Sequence, residues 1–112
     1  MRSLVVVITT TLVIGCGSDC AEPCAILYGT VGEQCAIQRP GYGSTDLVDL
    51  CMDQCGDAMA VRGDVGDYDP YAYVGDGESV SLENRDQALL WKECIVETSC
   101  EDLELGTCAP IW

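Results

Sequence analysis

The sequence contains no histidine and no phenylalanine, and it has little positive charge. Without histidine, neither a serine–histidine–aspartate triad nor a cysteine–histidine nucleophile can form. Carboxylates are plentiful, but their number follows from composition and marks no catalytic pair, so we predict that the protein is not an enzyme. Acidic residues outnumber basic ones 19 to 5. A surface this negative repels nucleic-acid phosphate, and we therefore expect no nucleic-acid partner.

Long apolar runs are also missing. The longest, Leu4–Ile14, has eleven residues (LVVVITTTLVI). As a helix it would rise about 16 Å, well short of a hydrocarbon core of roughly 30 Å. It follows the positive start Met-Arg-Ser, which is typical of a secretory signal rather than a membrane span. The sequence therefore predicts a signal peptide over residues 1–15 and a mature domain over 16–112, whose side-chain charge is 4 minus 19, or −15.

The end of the apolar run resembles the lipobox of bacterial lipoproteins. It reads LVIGC and ends at Cys16, with Val13 where leucine is usual and a bulky Ile14. The resemblance implies a diacylglyceryl group on the Cys16 thiol and anchoring in a membrane as a lipoprotein. By the same resemblance, Gly17 in place of aspartate favours the outer membrane of the cell envelope. The alternative is an ordinary cleaved signal, after which Cys16 joins the disulfide set.

Cysteine is abundant, with nine residues in 112. Without Cys16 the number is even, so the remainder can pair completely in an oxidising compartment. No CxxC redox motif occurs. Zinc sites usually use two cysteines separated by two to four residues, often with histidine, but here the export signal argues for oxidised cysteines instead. We therefore predict structural disulfides and no cofactor. The predicted disulfide residues are Cys20, Cys24, Cys35, Cys51, Cys55, Cys94, Cys100 and Cys108.

The hydrophobic periodicity predicts an all-α fold, a small disulfide-stapled bundle of about three short helices. The first helix is expected to follow the caps Ser18 and Asp19 and to continue to Cys35. The second is expected over residues 46–60, capped by Ser44 or Thr45.

The third helix is predicted to start after Asn84, with Gln87 as its capping-box partner, and to reach about Thr98. Ser99 should then cap a short final turn over residues 100–105. Gly106 should end that turn as a C′ residue.

The spacing of four residues between Cys20 and Cys24, and between Cys51 and Cys55, places each pair of thiols on one helical face. The turn at residues 39–43 makes the two helices antiparallel. This geometry predicts two rungs, Cys20 with Cys55 and Cys24 with Cys51, and leaves the other four cysteines to pair among themselves. An alternative, in which the third helix takes one of these cysteines, stays open.

Two CxxxC pairs followed by three spaced cysteines, after a lipobox-like leader, resemble a set of small cysteine-rich bacterial lipoproteins. The resemblance implies a helical domain with no assigned activity. It implies no functional residues.

Residues 62–80 form a long acidic loop rich in glycine, aspartate and tyrosine. Asp67, Asp69 and Glu78 match positions 1, 3 and 12 of a calcium loop. Tyr71 and Ala72 replace the next carboxylate and the required turn glycine, so the EF-hand pattern fails. A looser calcium site would draw on these carboxylates together with Asp64 and Asp76.

Five aromatic side chains could line a surface for a protein or glycan partner. They are Tyr68, Tyr71, Tyr73, Trp91 and Trp112. We expect Trp91 to lie in the core rather than on such a surface. The leading function predicted is a lipid-anchored envelope protein with a non-catalytic structural or partner-binding role, its partner an envelope protein or a glycan. The alternative is a calcium-dependent binding module using residues 64–78.

Overall fold

The computed structural model describes residues 20–72 and 81–110, and four helices lie within these ranges. The first, α1, covers residues 20–28. It is followed by α2 (Ser44–Met59), α3 (Arg85–Glu97) and the short α4 (Cys100–Glu104). No strand occurs within these ranges, so the prediction of an all-α, disulfide-stapled bundle is confirmed.

The prediction that the first helix continues to Cys35 is wrong. The last helical hydrogen bond runs from the Gly29 amide to the Ala25 carbonyl at 2.8 Å. Beyond it, Gly32 has a φ of +59°, in the left-handed region that favours glycine. Val31, which continues the apolar spacing, is 74% exposed. The predicted caps of this helix, at residues 18 and 19, lie outside the described residues.

The chain folds back onto the end of α1 and satisfies its last carbonyls. The Cys35 amide donates to the Ile26 carbonyl at 2.7 Å, and the Ile37 amide donates to the Leu27 carbonyl at 2.9 Å. These carbonyls would otherwise lack an intrahelical partner. The segment after α1 is therefore a cap made by tertiary hydrogen bonds rather than a continuation of the helix.

Helix α2 is capped differently from the prediction. Ser44 is already helical, and Gly43 is the N-cap residue. The Gly43 amide donates to Asp46 Oδ2 at 3.1 Å, so a carboxylate in the first turn ties down the entry of the helix. The predicted caps Ser44 and Thr45 are therefore wrong. The negative charge of Asp46 in the first turn also suits the dipole of α2.

Helix α3 begins as predicted, with Asn84 as its N-cap. Asn84 Oδ1 accepts a hydrogen bond from the Gln87 amide at 3.0 Å. The side chain of Gln87 reaches one residue further back than a capping box requires, since its Oε1 accepts from the Glu83 amide at 2.9 Å. Both capping side chains are buried, and their amide nitrogens donate to the Asp64 and Val65 carbonyls, which ties the loop before them to the start of α3.

The prediction for the final turn is also confirmed. Ser99 Oγ accepts a hydrogen bond from the Asp102 amide at 3.3 Å and caps α4. The helix ends before Gly106, whose φ of +107° suits a C′ glycine. A five-residue helix has little stability of its own, so its place depends on the disulfide at Cys100 and on burial of Leu103.

The core lies between α1, α2 and α3. Trp91 is fully buried, as predicted, and its Nε1 donates to the Pro110 carbonyl at 2.9 Å. The largest other side chains of this core are Tyr28, Leu27, Leu47, Ile95 and Leu103. Six of the eight paired cysteines are buried with them, so the cross-links form part of the core itself.

Candidate functional site

Two disulfides join α1 to α2 as parallel rungs. Cys20 is bonded to Cys55 and Cys24 to Cys51, and in both pairs the Cα atoms lie 5.8 Å apart. The antiparallel helix pair predicts this pairing, because the start of α1 meets the end of α2. One helical turn separates the rungs on each side, so the two bonds fix both the distance and the register of the helices.

The other two disulfides fasten the C-terminal half. Cys35 is bonded to Cys100 and Cys94 to Cys108, with Cα separations of 5.2 and 5.7 Å. The four cysteines therefore pair among themselves, and the alternative in which α3 takes a cysteine of α1 is wrong. Cys94 and Cys108 are fully buried, whereas both members of the Cys35–Cys100 bond are partly exposed.

The predicted lipidation residue, Cys16, lies outside the described residues. The eight cysteines from Cys20 to Cys108 are all paired with one another. None of the eight therefore has a free thiol, and an intrachain disulfide to Cys16 would require one of these four bonds to open. The pairing therefore disfavours the alternative in which Cys16 joins the disulfide set.

The acidic loop is only partly described, because Asp76 and Glu78 lie outside the described residues. Asp69 Oδ1 accepts a hydrogen bond from the Tyr71 amide at 3.0 Å, which folds a local turn. Asp64 and Asp67 line an open cleft beside it. Within residues 20–72 and 81–110, no three cysteine, aspartate or glutamate side chains converge as a metal site would require. The calcium alternative therefore gains no support here.

The candidate aromatic residues do not form one surface in the described part of the chain. Tyr68 is half-buried, and its hydroxyl donates to the Ala109 carbonyl at 2.6 Å. Burial raises the pKa of the Tyr68 hydroxyl well above its ordinary value, and the charge of Asp69 adds to this. Tyr71 is exposed and donates to Glu97 Oε1 at 3.2 Å. Trp91 is in the core, while the remaining two, Tyr73 and Trp112, lie outside the described residues.

One surface was not predicted from the sequence. Leu89 and Val96, on the side of α3 that faces away from the core, are 41% and 47% exposed. They line a shallow cleft with Glu22 and Lys92, whose Oε1 and Nζ atoms lie 3.5 Å apart. The signal in the sequence is the seven-residue spacing of the two apolar side chains, which repeats every two turns. This spacing is easily overlooked, because the core-facing side of α3, which contains Trp91 and Cys94, is more apolar and dominates the hydrophobic periodicity.

No described helix is both long and apolar enough to cross a bilayer. Comparison of the chain with protein-family models, with curated proteins and with solved structures finds no match.

Proposed function

We propose that the protein is a lipid-anchored protein of the bacterial cell envelope, held in the outer membrane through Cys16. Its role is non-catalytic and is either structural or partner-binding. The observation that carries this proposal is the complete pairing of the eight other cysteines. A ninth cysteine placed directly after an apolar leader is then free to carry a lipid.

The anchored domain is cross-linked in a way that keeps its shape in an oxidising compartment of the envelope. Each disulfide contributes about 2–4 kcal/mol, mainly by restricting the unfolded chain. The combined contribution of the four bonds is comparable with the whole free energy of unfolding of a small domain, about 5–15 kcal/mol. This favours a rigid module that displays a surface, and its only buried polar side chains in the described ranges serve as helix caps.

The anchor is tested by intact-mass analysis of the protein purified from its native membrane. We expect an N-terminal Cys16 whose mass is increased by a diacylglyceryl group and an amide-linked acyl chain. Cys16→Ser should leave the chain unprocessed or release it from the membrane fraction, whereas Ser18→Ala should be acylated and retained like the wild type. An unmodified Cys16, or a mature N-terminus at another residue, would refute the lipid anchor.

A further inference from the structure

Helix α3 has apolar residues on two sides. Its inner side is fully buried and includes Ala88, Trp91 and Ile95. Its outer side carries Leu89 and Val96, two turns apart, with more than two fifths of each side chain in contact with solvent. Single exposed apolar residues are ordinary, but an apolar pair in register along one helix is the pattern of a helix or peptide docking face.

The apolar surface continues beyond α3. Val96 lines the cleft of about 350 Å³ that it shares with Leu89. It also lines a neighbouring cleft of about 560 Å³, whose wall includes Val31 after the end of α1. Val31 is the most exposed large apolar side chain of the described residues, at 74%. We call the surface of Val31, Leu89 and Val96 the α3 outer face.

Carboxylates surround the α3 outer face. Glu93 and Glu97 lie on α3 itself, and Glu22 and Glu33 lie on the opposite walls of the two clefts. Among the described residues, Lys92 is the only basic side chain that lines either cleft, and its Nζ is 3.5 Å from Glu22 Oε1. The face is therefore an apolar strip with a net negative rim.

The negative charge around the α3 outer face indicates what kind of partner can bind there. Anionic phospholipid would be repelled by the four carboxylates, and so would a second copy, which carries the same negative rim. A basic amphipathic segment fits both features, because its apolar side covers the strip while lysine or arginine side chains pair with the rim. We propose that the α3 outer face binds a basic amphipathic helical segment of a partner protein. This inference rests on the proposed partner-binding role and is independent of the lipid at Cys16.

The probe is a fluorescent synthetic peptide of leucine and lysine with helical periodicity, compared with a scrambled peptide of the same composition. Binding to the full chain in an uncharged detergent is measured by anisotropy, with partition into empty micelles subtracted. We expect Leu89→Ser with Val96→Ser, and separately Glu93→Gln with Glu97→Gln, each to weaken binding about tenfold. The control is the exposed C-terminal end of α4, altered by Glu104→Gln together with Leu105→Ser at the C-cap, and it should change the affinity less than about twofold.

The outcomes separate the explanations. The proposal is overturned if the α4 control weakens binding as much as the α3 variants do, or if the scrambled peptide binds as tightly as the helical one. Either result would show that binding is a general attraction between opposite charges. A dimer that dissociates with Leu89→Ser and Val96→Ser, or anionic vesicles that bind through the same residues, would overturn it in favour of a second copy or a membrane. If the apolar variant fails to fold, the Glu93 and Glu97 variant decides the matter. Acylation of Cys16 is measured separately on the same protein, so failure of the anchor and failure of this face are distinguishable.

Discussion

Tyr68 connects the acidic loop to the C-terminal segment. Its hydroxyl donates to the Ala109 carbonyl, and the Cys108 amide donates in return to the Pro70 carbonyl at 2.7 Å. The Tyr68 ring packs against the edge of the core. One half-buried hydroxyl thus ties together two segments that are 41 residues apart.

We expect Tyr68→Phe to lower the free energy of unfolding by about 1 kcal/mol at neutral pH, because it removes this hydrogen bond. The loss should shrink above about pH 10. Burial raises the pKa of folded Tyr68, so the unfolded tyrosine releases its proton first as the pH rises. Stability from this group is therefore complete below about pH 10 and declines as the pH rises toward the folded pKa.

Denaturant unfolding of both proteins at pH 8 and near pH 11 checks this prediction. The gap in free energy of unfolding between wild type and Tyr68→Phe should be smaller at the higher pH. Tyr42→Phe, at an exposed position, is the matched control, and its free energy of unfolding should equal that of the wild type at both pH values. A gap that stays constant or widens with pH would contradict the role assigned to Tyr68.

At the scale of elements, local patterns in the sequence predict the helices better than their ends. The CxxxC spacing predicts the two rungs between α1 and α2, because helical periodicity and an antiparallel turn leave few geometries. The caps at Asn84 and Ser99 are likewise local and predictable. The end of α1 is not, since Val31 and Cys35 keep the helical spacing while amides from the returning chain replace the helical bonds.

The α3 outer face could not be predicted for a related reason. Periodicity locates the side of a helix that is most apolar, which for α3 is the core side. Whether a second, weaker stripe stays exposed depends on what packs over it, and that is a property of the tertiary structure. Leu89 and Val96 are exposed because no other described element covers them.

The Cys35–Cys100 disulfide is expected to be the first to open under mild reduction. Both of its cysteines are partly exposed, whereas the cysteines of the other three bonds are at most 7% exposed. Accessible disulfides are attacked faster by thiolates and phosphines. Reduction of this bond should release α4 from the segment after α1. Because the bond links residues 65 apart in the sequence, its loss should lower the free energy of unfolding by on the order of 4 kcal/mol.

Limited reduction followed by alkylation and peptide mapping gives the order of opening. Label should appear on Cys35 and Cys100 about tenfold faster than on Cys94 and Cys108. The Cys94–Cys108 pair is the matched control, because it also fastens the C-terminal half but is buried. If the alkylating label appears first on Cys94 and Cys108, the prediction that the Cys35–Cys100 bond opens first is wrong.

At the scale of the whole molecule, the proposed anchor sets the orientation of the domain. Three residues lie between Cys16 and Cys20. The four steps of extended chain from Cys16 to Cys20 span at most about 14 Å, which limits the distance from the lipidated residue to the first rung. Cys20 is bonded to Cys55, near the end of α2, which places this end of the helix pair closest to the membrane. Ser44, at the start of α2, lies about 16 Å from Cys55 along the helix axis, and the turn at residues 41–43 precedes it.

We therefore expect the end of α2 to face the lipid and the turn before α2 to face away. The lipidated protein, labelled with ¹⁵N and placed in nanodiscs doped with a gadolinium-chelating lipid, should show strong broadening of the amide signals of residues 57–62. The amides of residues 41–43 should be broadened several-fold less, because paramagnetic relaxation falls steeply with distance. Cys16→Ser, which lacks the anchor, is the control and should show no such difference. Equal broadening at both ends in the acylated protein would mean that the tether leaves the domain free to turn, and the surface offered to a partner would then not be fixed by the anchor.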